Sequence, residues 1–224
     1  VNLRFFNFSD RVKFSESIVA RISFFAEISI RERGAFHIVL AGGETPKSVY
    51  SRLREIRTSW PDWRFWFGDE RCLPKGGTDR NDTMARRSLL DFLPVAESQI
   101  YSIPAELGPI SASKEYSVFL KSASIFDVSL LGIGEDGHTA SLFPGRELGD
   151  SPNSPDVLAV LDAPKPPAER VSLSSNRLKH SRCVMFLAAG GTKKEIVERL
   201  KMGEEMPASG IFGLENTEIY YSEI

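Results

Sequence analysis

Apolar and polar positions along the 224-residue chain switch repeatedly between the helical period and short apolar runs. From Ser15 to Arg33, the residues Ile18, Val19, Ile22, Phe25 and Ala26 fall on one helix face, and Gly34 supplies a stop. Phe36–Ala41 is a short buried strand, after which Val49, Tyr50, Leu53 and Ile56 recur at helical spacing. Trp63–Phe67 predicts a strand, and Asn81 caps a helix running to about Leu90 and ended by Pro94. Ile100–Ile103 reads as a short strand and Ser113–Ser122 as a modest helix. Phe126–Leu131 and Cys183–Ala189 are apolar enough to be buried strands, with Ile196, Val197 and Leu200 forming the inner side of a helix after the second. Val157–Leu161 and Val171–Leu173 are shorter strands on either side of the stiff segment 163–168, APKPPA, while Arg146–Pro155 has no period and predicts a loop. Strands alternating with helices imply an α/β protein with a parallel sheet.

The ends of these strands carry the chemistry. Leu131–Gly145 reads LGIGEDGHTASLFPG, so a buried strand runs into three glycines with Asp136 and His138 among them. Without further context it is also the pattern of a tight strand-to-helix turn with a structural histidine. Phe36–Ala41 is followed by Gly42, Gly43, Glu44, Thr45 and Pro46, where Thr45 suits an N-cap and Pro46 a first helical residue. Two glycines at a helix start leave unpaired amides for an anion, and an ordinary turn uses the same residues. Trp63–Phe67 runs into Asp69, Glu70 and Arg71, and the guanidinium of Arg71 offers a planar fork to a phosphate. The loop Leu73–Arg80, with Pro74, Gly76 and Gly77, is expected to be exposed and to cover the site. Cys183–Ala189 leads to Gly190, Gly191, Thr192 and Lys193, with Thr192 and Glu195 spaced as a capping box. In a parallel sheet all four junctions share one edge and one crevice. There they supply amides and cations for an anion, with a histidine and carboxylates for proton transfer.

Composition narrows the partners. A formal charge of -2 gives no global field toward nucleic acid or a membrane, so an anionic ligand needs local cations. No apolar run approaches a membrane span. Arg4, Asp10, Arg11 and Lys13 interrupt any secretory segment near the beginning of the sequence. The two cysteines, Cys72 and Cys183, lack metal-ligand spacing and read as buried free thiols. These features predict a cytoplasmic protein with neither metal nor cofactor. They favour a monomer without fixing the oligomeric state. At this length the chain suits one large α/β domain or two small ones.

The segments AGGETP, FGDERCLP with Asn81 downstream, LLGIGEDGHTASLFPG, and ERVSLS followed by VMFLAAGGTKKEI resemble the 6-phosphogluconolactonase family. That family belongs to a wider group that includes glucosamine-6-phosphate deaminase. The resemblance implies a single Rossmann-like domain over residues 1–224, its mostly parallel sheet flanked by helices on both faces. It implies metal-independent hydrolysis of 6-phospho-D-glucono-1,5-lactone to 6-phosphogluconate, the second step of the oxidative pentose phosphate pathway. His138 is then the general base, and Asp136 either orients it or binds a sugar hydroxyl. Asp69 is a second candidate for a hydroxyl. Gly42, Gly43, Thr45, Arg71 and Lys193 would hold the phosphate, with Arg170 a further candidate.

The chain departs from the family pattern at Glu44, usually a small hydroxyl residue, and at Arg80, usually a serine. A carboxylate beside a phosphate is unfavourable unless it turns away, and Arg80 either adds a cation or faces solvent. Two other readings are a deaminase or isomerase on the same fold and a sugar-phosphate sensor without catalysis. Deaminases resemble this chain at GIGxDGH but typically continue with Ile-Ala-Phe-Asn-Glu-Pro and carry tyrosine where Arg71 stands. Sensors of this architecture come fused to a DNA-binding module, for which the sequence leaves no segment.

Overall fold

The structure is a computed structural model that describes residues 2–123 and 125–224. The chain begins with strand β1 (Asn2–Phe8), helix α1 (Arg11–Arg33), strand β2 (Phe36–Leu40), helix α2 (Glu44–Leu53) and strand β3 (Trp63–Phe67). There follow β4 (Asp69–Arg71), α3 (Asn81–Ser88), β5 (Ile100–Tyr101), α4 (Pro109–Leu120) and β6 (Phe126–Gly132). The last part contains β7 (Val157–Val160), β8 (Arg170–Leu173), α5 (Ser175–Lys179), β9 (Ser181–Ala189), α6 (Lys194–Lys201) and β10 (Asn216–Ser222). Short 3₁₀ turns connect several of these elements.

Seven strands form one sheet in the order β1-β10-β9-β6-β2-β3-β5, and every pairing in it is parallel. This is the mostly parallel α/β architecture that the strand–helix alternation predicts. Right-handed crossovers place α1 and α2, which both run toward β5, on one face, where they pack together. They place α4 and α6, which run back, on the other. After β2 the chain goes to β3 on one side, and β6 returns to the other side of β2. The crevice beyond the ends of β2 and β6 is therefore the topological switch point, where open α/β sheets bind ligands. A second sheet, β4-β8-β7, is antiparallel. The chain enters it at Gly68, whose carbonyl accepts from the Leu173 amide at 2.8 Å. Asp69–Arg71 is thus a short strand rather than the solvated turn its polarity suggests.

Two strands escape the sequence pattern, the first for an electrostatic reason and the second because it lies at the sheet edge. Within β10 the side chain of Glu218 is fully buried between its neighbours, held by Arg21 at 2.7 Å and by the Tyr220 hydroxyl at 2.8 Å. A buried carboxylate is tolerated only with such partners, and it interrupts the apolar run that marks a central strand. On the sheet edge, β1 mixes exposed and half-buried positions, so its aromatics stack on β10, Phe6 over Tyr220 at 4.8 Å. Helix α1 starts at Arg11, before its apolar stripe, because the Asp10 carboxylate accepts from the Lys13 amide at 2.9 Å. Helix α4 likewise starts early, with Pro109 as its first residue after Gly108.

Candidate active site

The four strands β9, β6, β2 and β3 lie side by side and release the chain into one cavity of about 510 Å³. Gly42, Gly43 and Thr45 line it from the β2 end, Asp69 and Arg71 from β4, and His138 from beyond β6. Arg170 of β8 and Lys193, beyond β9, complete the set read from the sequence. Asp136 stands behind His138 rather than against the cavity.

After β6 the chain forms no helix; it turns on itself, with the Gly134 amide donating to the His138 carbonyl at 2.8 Å. That turn brings Nδ1 of His138 to 2.5 Å from Oδ1 of Asp136. The carboxylate fixes one ring nitrogen, which leaves Nε2 as the working atom. Gly134 is what makes the pair possible, since a Cβ there would lie 1.9 Å from Nδ1 and 2.4 Å from Oδ1. The Phe143 ring lies 4.8 Å from the imidazole, giving it an apolar wall. Burial lowers the pKa of His138 below 6.5, against the opposing pull of Asp136 and Asp69 and with help from Lys165. The same pairing holds Asp136 below its ordinary carboxylate value, despite its partial burial. The site therefore presents a neutral imidazole beside an ionised carboxylate at neutral pH.

Gly43, not Thr45, occupies the cap position of α2, with φ of 103° that a side chain would resist. Thr45 sits inside the first turn. Here the backbone conformation of Gly43 sets the helix start, and no side chain caps it. Glu44 borders the cavity, but its side chain is 87% exposed and pairs with Lys47 at 3.3 Å. The carboxylate thereby avoids the conflict with an anion. Beyond β9, a 3₁₀ turn over Gly191–Lys193 precedes α6, and no side chain caps that helix, so Thr192 and Glu195 do not form the expected box. The 3₁₀ turn shifts the helix start past Thr192 and leaves Lys193 at the cap position, beside the cavity.

The floor is rigid. Glu70 accepts from the amides of Asn81 and Asp82 at 2.7 and 2.9 Å, so a carboxylate from β4, not Asn81, caps α3. Asn81 is freed to hold Asp69, donating to its carbonyl at 2.8 Å and its carboxylate at 3.1 Å. Asp69 also accepts from the Ser141 hydroxyl at 2.6 Å. Arg80 neither adds a cation to the cavity nor faces solvent. It is buried and bonded to Asp82 and Glu106 at 2.9 Å each, with Glu70 at 3.7 Å, and so neutralises the acids beneath the site. It also ties the Leu73 carbonyl and so anchors one end of the loop Leu73–Arg80, which is largely exposed, as expected, but does not line the cavity it was expected to cover. Arg71 donates to the Asp79 carbonyl at 2.6 Å, while its buried Nε has no partner among the described residues.

One cation of the cavity was missed from the sequence. Lys165 lines it from the segment between β7 and β8, with Nζ 3.8 Å from Asp136 Oδ2. Nothing in APKPPA marks it except a lysine among prolines, because only the second sheet carries that segment back over the crevice. The two thiols are free; Cys183 is buried and Cys72 half-buried. Among the described residues no cluster of His, Cys, Asp and Glu has the arrangement to hold a metal ion, and no helix is long and apolar enough to cross a membrane.

The fold and the strand-end cavity define an α/β protein with a crevice at the switch point of its parallel sheet. The sequence profile of the glucosamine-6-phosphate isomerases/6-phosphogluconolactonase family matches residues 9–220, and the chain belongs to that family. It is 33% identical over 209 residues to the chloroplastic 6-phosphogluconolactonase 3 of Arabidopsis thaliana, covering 85% of this chain and 64% of that protein. It is 32% identical over 229 residues to the 6-phosphogluconolactonase of Streptomyces coelicolor, covering 93% of this chain and 87% of that one. The crystal structure of 6-phosphogluconolactonase from Thermotoga maritima superposes with a TM-score of 0.92 at 26% identity, covering 99% and 100% of the two chains.

Proposed function

We propose that this protein hydrolyses 6-phospho-D-glucono-1,5-lactone to 6-phosphogluconate. The observation that carries the reading is His138, held by Asp136, lining the same cavity as Arg71, Lys193 and the glycine-rich start of α2. The relatives named 6-phosphogluconolactonase support it. In this reading the phosphate lies against the amides after β2 and the cations Arg71 and Lys193. Its binding energy positions the ring, whose C1 carbonyl then faces Nε2 of His138. His138 takes a proton from water as the oxygen adds to C1. The resulting imidazolium returns that proton to the ring oxygen as the C1–O bond breaks. Asp136 holds the ring orientation and stabilises the transient imidazolium, and Asp69 is placed to accept from a sugar hydroxyl. The free thiols fit a reducing compartment such as the cytoplasm. The test is the rate of lactone hydrolysis above the spontaneous background; a rate equal to background sinks the reading.

The phosphate contacts give a separate expectation. Arg71→Ala and Lys193→Ala should each weaken binding of 6-phosphogluconate about ten- to a hundredfold, since a hydrogen bond to a charged group contributes about 1.5–3 kcal/mol. Calorimetric titration at two salt concentrations measures this. Hydrolysis of unphosphorylated gluconolactone should change much less, and equal losses on both substrates would place these side chains at the reacting ring.

The isomerase side of the family makes a contrary prediction. Isomerisation with deamination needs an acid for the ring oxygen and a base for the proton moving between C1 and C2. Around His138 this chain presents the apolar ring of Phe143, where deaminases typically carry a glutamate. No ammonia release from glucosamine 6-phosphate is expected at any enzyme concentration, although that sugar phosphate should compete weakly for the cavity. Ammonia production proportional to enzyme would overturn the lactonase reading and leave the fold unaffected.

A further inference from the structure

Arg170 was a candidate for the phosphate, but two of its nitrogens are committed elsewhere. Its side chain is buried, and Nε donates to the Pro167 carbonyl at 3.0 Å. Nη2 donates to the carbonyls of Lys165 at 2.9 Å and Pro166 at 3.4 Å. Three successive carbonyls of one loop are thus tied by a single guanidinium. The Ala163 amide closes the same loop onto the Ala168 carbonyl at 2.9 Å. Withdrawing a guanidinium from water is costly unless its donors are matched, so this is a built arrangement and not an incidental contact. Prolines at 164, 166 and 167 restrict the loop backbone further. The only side chain in that loop able to carry charge toward the cavity is Lys165.

Its place is specific. The ammonium lies 3.8 Å from Oδ2 of Asp136, whose Oδ1 is the atom holding His138. That separation exceeds a hydrogen bond and the side chain remains 52% exposed, so its charge is not consumed by a tight pair, and Lys165 lines the same cavity as His138. Of the cavity cations, Arg71 and Lys193 belong to other strand ends and neither forms an ion pair with Asp136. The Phe143 ring joins the two halves, with the Arg170 guanidinium 5.5 Å above it and the imidazole at 4.8 Å.

We propose that Lys165 is a catalytic residue that stabilises the oxyanion formed at C1, and that Arg170 is a positioning residue that fixes the loop carrying it. The proposal rests on the lactonase reading. When water adds to C1, the carbonyl π pair moves to the carbonyl oxygen, beside the Lys165 ammonium, and the water proton passes to His138. The pair then returns to reform the carbonyl, the bond from C1 to the ring oxygen breaks, and that oxygen takes the proton from His138. The carboxylic acid so formed releases its own proton to solvent. Lys165 exchanges no proton in these steps and contributes charge alone, at the point where charge develops.

Steady-state kinetics of K165M, K165R, R170Q and the double variant K165M/R170Q test this on the phosphorylated lactone and on unphosphorylated gluconolactone. K165M should lose about ten- to a hundredfold in kcat on both substrates, below the full effect of a buried oxyanion donor because the lysine is half exposed. KM should move less than twofold, and K165R should recover most of the rate. R170Q should show the same split, and the double variant should be no worse than the poorer single one, since Arg170 acts through Lys165. Thermal melting checks the buried Arg170 variant; Lys165 sits at the surface, and its variants carry the test if R170Q unfolds. Wild-type kcat in K165M overturns the proposal, as does a loss confined to KM for the phosphorylated substrate, or additive losses in the double variant. Those outcomes leave the lactonase reading standing, whereas absence of hydrolysis above background in the unaltered protein overturns both.

Discussion

Replacing His138 by alanine is expected to lower kcat/KM for the phosphorylated lactone about 100- to 10,000-fold, the usual contribution of a positioned general base. The variant should fold, because the imidazole contributes to the surface of the cavity, to its bond with Asp136 and to one ring contact with Phe143, and not to the central core. No other histidine can take over. His37 lies in β2, its Nδ1 accepting from Trp66 Nε1 at 3.2 Å, and burial among Arg64, Arg33 and Arg177 pushes its pKa down to about 4. His180 follows α5 at the opposite end of β9 from the cavity. The pH dependence follows from the direction of the His138 shift. Burial, the largest influence, disfavours the imidazolium, so the neutral base persists to lower pH than an ordinary histidine. In the unaltered protein kcat/KM should be level near neutrality and fall only below pH 6.5. An acid limb at or above that value, or a wild-type rate in the alanine variant, would remove His138 from the role of base.

Gly134→Ala should lower the same rate about 100-fold while leaving the melting temperature nearly unchanged. The new Cβ would stand 1.9 Å from His138 Nδ1 and 2.4 Å from Asp136 Oδ1, so the two side chains must rotate apart. Both are side chains that can move, and the Gly134 backbone is not in the left-handed region, so the turn itself survives. What is lost is orientation, and a displacement of about 1 Å at a reacting group costs on the order of 100-fold. A large fall in melting temperature would mean that the glycine serves the fold rather than the pair. An unaltered rate would mean that the Asp136–His138 bond does not matter to catalysis.

Local pattern determined more of the architecture than of the chemistry. The apolar runs at β2, β3, β6 and β9 are buried on both sides, so each reads as a strand from its own residues alone. Their turns carry glycine, and the placement of Gly42–Thr45, Arg71, His138 and Lys193 at one sheet edge follows once those strands are parallel neighbours. By contrast, spacing marks Thr45, Asn81 and Thr192 as caps. Each cap position was instead decided by backbone turns or by Glu70, a carboxylate eleven residues before Asn81. A side chain arriving from another strand competes with the local one, and spacing has no information about it.

The sequence by itself determined the four strand–glycine junctions, the imidazole with a carboxylate two residues away, and the absence of any strong net charge. Those depend on interactions within a few residues. Only the tertiary structure decided that Glu44 turns outward to Lys47, that Arg80 is buried among three acids, and that Arg170 ties a distant loop. It alone brought Lys165 to Asp136, and it alone made a central strand of the Glu218-bearing segment by supplying Arg21. The reason is common to all of them. A charged side chain stays in water unless it is paired, and whether it is paired is set by the opposite charge or carbonyl that the fold carries to it from elsewhere in the chain.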